Sequence, residues 1–273
     1  MAHESKRGIE FSRPGGVSLA GDLYLPAGAS KAPVVVSVHG GGWQLGASGM
    51  HAHWGQWLAE RGIALFSINY RLAGEGRKAY PEAVNDVRAA VQFVKRKAPE
   101  LKLDPERVAL FGDSAGGHLA ALAALAGDKP PFADEHGSTR VKAVVGVYGV
   151  YDLAAQWNHD LLDRPLDNIA AKFVGVPLNE DRRTYFDASP ISWATRDMNP
   201  TAFLLAWGTE DDVVDRHTQS EAFLRALKQA NFFVRPVVVQ GAPHFWNAEP
   251  IDEPGSRSGF LAPRLLRFLQ EKL

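Results

Sequence analysis

The chain has no cysteine, which removes disulfides, thiol nucleophiles and cysteine-held metal together. No apolar run approaches the roughly 18 residues of a membrane-crossing helix. The opening residues, MAHESKRGIEFSRPGG, lack the apolar stretch of a secretory signal. A cytoplasmic protein is therefore expected, and a secreted form with its signal removed would read the same way. Basic and acidic residues nearly cancel, 30 against 31, with no basic stripe, so no nucleic-acid surface is expected. There is no internal repeat and no low-complexity tract. His51 and His53 are two apart and would face different ways on a helix, which makes a poor metal pair. Neither a metal nor an organic cofactor is expected, and oligomeric state is not legible.

What is present suits one α/β domain spanning 1–273. Hydrophobic residues make up 45% and charged residues 22%, enough for a large core. Short β-branched runs alternate with longer helical runs, the pattern of a mostly parallel central sheet flanked by helices. Strands are expected at 17–25, 34–38, 63–70, 108–112, 143–147, 202–207 and 234–239. Val34-Val35-Val36-Ser37-Val38 shows no polar alternation and suits burial on both faces. Pro236 favours an edge position for the last strand.

Helices are expected at 51–61, 115–125, 219–229 and 259–272. Another starts at Pro81, with Val84, Val87, Val91 and Val94 on one face. From about 152 to 200 there is no strand-like run, and Pro165, Pro177, Pro190 and Pro200 interrupt it. This stretch is too long for a plain connection and reads as a cap-like insertion.

The sharpest local signal is Gly112-Asp113-Ser114-Ala115-Gly116, a G-x-S-x-G pattern between a strand and a helix. Such a turn lifts a serine hydroxyl out of the sheet and sets the first amides of the helix behind it. Ser114 is the candidate nucleophile, and the Ala115 N–H would help hold an oxyanion. A second glycine cluster, His39-Gly40-Gly41-Gly42-Trp43, directly follows the buried strand. No G-K-[ST] follows and G-x-G-x-x-G does not fit, which disfavours a phosphate loop. Gly41 and Gly42 are the other expected oxyanion donors.

These motifs resemble the α/β-hydrolase superfamily, and within it the hormone-sensitive-lipase-like and bacterial feruloyl-esterase-like carboxylesterases. The resemblance runs from about residue 10 to the end. It also rests on Asn69-Tyr70-Arg71-Leu72, Ser189-Pro190-Ile191, Gly208-Thr209-Glu210-Asp211 and Pro243-His244-Phe245. It implies an α/β-hydrolase fold and a serine hydrolase of small ester bonds working through an acyl-enzyme, with acid and base following Ser114 in that order.

Of nine histidines, His244 lies in a loop after a late strand, where the family keeps its base. Four acids crowd the preceding loop: Glu210, Asp211, Asp212 and Asp215. The family pattern G-x-x-D-x-x-V places Gly208, Asp211 and Val214 in register, so Asp211 is the implied acid and Asp212 the alternative. Asp215 stands where the family often has proline. His118 reads as packing, Asp113 as structural or electrostatic, and Arg71 with Asp86 as an internal ion pair. Trp43, Tyr70, Trp246 and Phe245 flank the motifs and are candidate pocket residues, Trp43 and Trp246 ahead of the other two. An arylformamidase and a non-catalytic binder on the same fold are the competing readings. The formamidase is separated by comparing N-formyl aromatic amines with p-nitrophenyl acetate, and the binder by a phosphonate that fails to label Ser114.

Overall fold

In a computed structural model, residues 3–132 and 137–273 of the chain are described. His136, read from sequence as a loop residue, lies outside them. The strands are β1 (His3–Ser12), β2 (Leu19–Pro26), β3 (Ala32–Val38), β4 (Ala64–Ile68), β5 (Leu103–Asp113), β6 (Ala143–Val147), β7 (Ala202–Gly208) and β8 (Val234–Val239). They form one sheet in the order β1-β2-β4-β3-β5-β6-β7-β8. The β1–β2 and β2–β4 pairs are antiparallel, and every other pair is parallel. β8 pairs with β7 alone, so Pro236 sits on an edge where its missing N–H costs no ladder bond.

β1 is absent from the sequence reading. Its residues, HESKRGIEFS, are mostly exposed, and Phe11 is its one buried apolar residue. A strand paired on one side and wetted on both faces carries no period-2 apolar signal.

The helices are α1 (Ala52–Ala59), α2 (Glu82–Arg96), α3 (Ala98–Leu101), α4 (Ala115–Ala126), α5 (Leu153–Asp163), α6 (Ile169–Val174), α7 (Arg182–Asp187), α8 (Ser220–Gln229) and α9 (Arg257–Lys272). Alternation along β3 divides the core. Val34, Val36 and Val38 belong to the core cluster that also holds α2, α4 and α8, while Val35 belongs to the cluster of α1 and α9 on the other face. Both faces of this strand are therefore dry, which explains its unbroken valine run. α2 begins one residue after Pro81, which occupies the capping position. Among the described residues no helix is long and apolar enough to cross a membrane.

The excursion at 152–200 folds into α5, α6 and α7 with short 3₁₀ turns. Each helix starts on a side-chain cap: Asp152 accepts from the Ala155 amide, Asn168 from Ala171 and Asp181 from Thr184. Each cap contributes about 1 kcal/mol, and Pro165 and Pro177 fall between helices. Phe173, Val174 and Tyr185 join the core cluster on the α4 face. Arg71 and Asp86 do meet: Nε and Nη2 bond the buried carboxylate at 2.6–3.0 Å, and burial nonetheless raises the Asp86 pKa.

Candidate active site

Ser114 sits between the end of β5 and the start of α4 with φ 51° and ψ −122°. This is a left-handed conformation that L-residues avoid. The turn holds because its neighbours are glycines. A Cβ at Gly116 would lie 2.0 Å from the Val38 carbonyl oxygen. The Ser114 N–H is anchored on the Val147 carbonyl at 2.9 Å.

Two loops at the same, C-terminal end of the parallel strands bring the partners in. His244, after β8, sets Nε2 3.0 Å from Ser114 Oγ. Asp211, after β7, sets Oδ2 2.7 Å from His244 Nδ1. Both the imidazole and the carboxylate are 1% exposed as side chains. The other carboxylate oxygen, Oδ1, accepts from the Val213 and Val214 amides at 3.0 and 2.9 Å. Both carboxylate oxygens of Asp211 are thus engaged, which fixes one orientation. Asp212 is exposed, and its carbonyl accepts from His159 at 3.1 Å. Tyr148 and Phe245 flank the His244 ring, each with centroids at 4.4 Å.

Gly41 has φ +113°, and a Cβ there would strike the Leu45 carbonyl oxygen at 2.3 Å. That conformation is open to glycine alone at reasonable cost. The amides of Gly41, Gly42 and Ala115 have no hydrogen-bond acceptor among the described residues. Gly41 and Gly42 line the same cavity as Ser114 and His244.

The glycine loop is held from below by a buried polar chain that sequence reasoning missed. Asp113 Oδ1 accepts from the Gly40 N–H at 2.8 Å and lies 3.0 Å from His51 Nε2. His51 Nδ1 contacts the Ser37 hydroxyl, and Tyr148 donates to Asp113 Oδ2 at 3.3 Å. Burial raises the Asp113 carboxyl, but facing His51, with its hydrogen bond and that of Gly40, more than offsets this and leaves the pKa lowered. The only sequence signal was Asp113 beside the serine. His51 and Tyr148 carry no motif.

Trp43 and Trp246 do not line the cavity. Trp43 is fully buried, stacks on Phe173 at 4.5 Å and donates Nε1–H to His118 Nδ1 at 3.2 Å. Trp246 is buried on the opposite face of the sheet, edge-on to Tyr148. Both adjoin motif residues in sequence, but their backbones turn the large rings into the core, where burial of so much apolar surface is most favourable.

His118 donates Nε2–H to the Ala188 carbonyl at 2.8 Å while Nδ1 accepts from Trp43. Only the neutral ring satisfies both partners. Burial lowers its pKa to about 4 and does the same for His39. These groups favour the folded state while neutral. Their contribution is whole above the unfolded value of about 6.5 and is lost as pH falls through 4. Each is worth up to about 3 kcal/mol. His53 shifts in the same direction, while Asp86 and Asp160, raised by burial, oppose the trend at the low end. Urea unfolding between pH 6.5 and 4 is expected to show stability falling by roughly 2–3 kcal/mol per pH unit. His118→Gln, which keeps a donor and an acceptor without titrating, should remove roughly 1 kcal/mol per pH unit of that slope. An unchanged slope in this variant would rule out His118 as a contributor.

The Ser114 hydroxyl and the His244 imidazole open onto a cavity of about 350 Å³, walled by Leu45, Ile169, Val213 and Phe245, with Gln44, Arg164 and Asp167 as its other polar side chains. Larger hollows of about 390, 450 and 630 Å³ are lined by none of Ser114, Asp211 and His244.

The BD-FAE family model matches residues 21–227. The chain is 34% identical over 246 residues to the probable carboxylic ester hydrolase LipM of Mycobacterium tuberculosis, covering 88% of this chain and 54% of that protein. It is 30% identical to a probable isoprenylcysteine alpha-carbonyl methylesterase of Oryza sativa subsp. japonica, covering 82% and 54%. The chain thus spans about half the length of the curated relatives it matches. Among solved structures, a truncated carbohydrate esterase from gut microbiota superposes with TM-score 0.80 at 23% identity, covering 99% of this chain and 96% of that one. The propionate-bound thermophilic esterase Est2 of Thermogutta terrifontis gives 0.75 at 24%, covering 99% and 93%. At these identities the structural likeness shows a shared α/β-hydrolase fold.

Proposed function

The chain belongs to the BD-FAE family, and from that premise we propose that it is a serine carboxylesterase cutting small esters through an acyl-enzyme. The observation that supports this most is the unbroken chain from Ser114 Oγ through His244 to Asp211, beside three amides with no other partner among the described residues.

In this reading Ser114 Oγ attacks the ester carbonyl carbon as its proton passes to His244 Nε2. The carbonyl oxygen becomes an oxyanion held by the Gly41, Gly42 and Ala115 amides, each such donor being worth roughly 3–4 kcal/mol in the transition state. Asp211 keeps Nδ1 protonated and steadies the imidazolium. His244 returns its proton to the leaving alkoxide as the C–O bond breaks. Water then repeats the cycle on the acyl-enzyme, with His244 again taking and returning one proton. His244 carries every proton, so the cycle calls on no metal or organic cofactor. The excursion at 152–200 acts as a cap, supplying Arg164, Asp167 and Ile169 to the cavity wall. The names of the curated relatives favour an ester over a formamide as the bond cut.

The test is a panel of p-nitrophenyl esters of rising chain length, with feruloyl esters and aryl formamides alongside. Turnover is expected to be highest for acyl chains of about two to six carbons, in keeping with a small cavity of about 350 Å³, and to fall by orders of magnitude in Ser114→Ala. Formamides turning over faster than every ester, or esterolysis little changed in Ser114→Ala, would overturn the proposal.

A further inference from the structure

Cations are scarce in the candidate site. Among the described residues Arg164, in the turn after α5, is the one arginine or lysine lining the cavity that holds Ser114 and His244. Its backbone is pinned: its N–H bonds the Asp160 carbonyl at 2.8 Å, and its carbonyl accepts from the Asp167 amide at 2.9 Å. Its guanidinium is not pinned. The side chain is 33% exposed, and its nearest carboxylate is Asp160, 3.8 Å from Nε, which is too long for a hydrogen bond.

Asp160 is already supplied by other donors. Its Oδ1 accepts from Gln156 at 2.9 Å, and its Oδ2 accepts from the Ile169 and Ala170 amides at 3.0 and 3.3 Å. The one acid on the cavity wall, Asp167, is paired with Lys172. The Arg164 fork therefore has no hydrogen-bond acceptor among the described residues, in a cavity whose apolar walls are Leu45, Ile169, Val213 and Phe245. Leu45 and Phe245 are 71% and 62% exposed, an apolar rim that a bound ester would cover.

A planar guanidinium matches a carboxylate with two parallel hydrogen bonds, and covering by an apolar ligand strengthens the attraction. We propose that Arg164 is a specificity-determining residue that selects esters carrying a carboxylate remote from the scissile bond. This rests on the esterase reading for the site it serves. The substrate class is then a half-ester: an apolar spacer against the leucine, isoleucine and valine wall, the ester carbonyl at Ser114, and the free carboxylate on Arg164.

The experiment compares kcat/KM for p-nitrophenyl butyrate with that for the p-nitrophenyl monoester of glutaric acid, in the wild type, R164M and R164K. The wild type is expected to favour the anionic ester by about tenfold or more, R164M to reduce that ratio about tenfold, and R164K to restore part of it, since lysine keeps the charge without the fork. High salt should reduce the wild-type ratio. A wild-type ratio of one or below, or an R164M ratio equal to the wild type's, overturns the proposal. So does R164K indistinguishable from R164M, which would assign the loss to packing. Butyrate hydrolysis that depends on Ser114 reports on the esterase reading separately. Calorimetric binding of the glutaric acid mono-anilide to wild type and R164M decides the anion site even if no ester is cut. Binding at least about tenfold weaker in R164M supports it, and equal affinity overturns it.

Discussion

Ser114→Ala and His244→Ala are each expected to lower kcat on a short p-nitrophenyl ester by about 10⁶-fold, and the double variant by no more than either alone. The non-additivity follows from the geometry. With Nε2 3.0 Å from Oγ, neither group does its work without the other: the alcohol is a poor nucleophile unless its proton has somewhere to go, and without the alcohol no acyl-enzyme forms for the imidazole to serve. What survives should still exceed the uncatalysed rate, because the Gly41, Gly42 and Ala115 amides remain. Steady-state assays of all three variants, with unfolding midpoints recorded in parallel, check this. A double variant markedly slower than both single ones would mean that the two residues act independently, and the proton transfer between them would have to be abandoned.

The legible part of this site is the part built on backbone conformation. Gly112, Gly116 and Gly41 stand where a Cβ would strike a carbonyl oxygen at 2.0–2.3 Å, so the chemistry of the turn is written in residue type. The valines of β3 and the α2 stripe were readable for a similar reason: each period reports which faces are dry. β1 was not, because an exposed edge strand leaves no such trace. Trp43 and Trp246 show the limit of reading by adjacency. They neighbour the motifs, yet a single positive φ, 60° at Trp43, sends its ring into the core. His51, Tyr148 and Arg164 were invisible for the converse reason. Each comes to the site from a separate element, and only the sheet order brings His51 onto Asp113, 62 positions away.

Asp211→Asn is expected to lower kcat by about 10⁴-fold with little change in unfolding midpoint, while Asp212→Asn should stay within about threefold of wild type. Two neighbouring aspartates separate this cleanly because the loop faces them opposite ways. Asp211 Oδ1 accepts from two amides, at 3.0 and 2.9 Å, and Oδ2 faces His244 Nδ1 at 2.7 Å. An asparagine must put its single oxygen toward one side. Turned to the two amides, it presents NH₂ to Nδ1, which must then accept, so the ring proton moves to Nε2 and no lone pair faces Ser114 Oγ. Turned the other way, the NH₂ opposes two backbone donors and the loop is strained. The first arrangement wins on hydrogen-bond count, and it leaves a folded enzyme with the wrong imidazole tautomer. The acid loop is independently clamped to α5, through Gln156 Nε2 on the Val213 carbonyl and His159 on the Asp212 carbonyl, each at 3.1 Å, so substitution at 211 should not release it. Kinetics of both variants on one ester decide the matter: a large loss at 212 with little at 211 would transfer the role of acid to its neighbour.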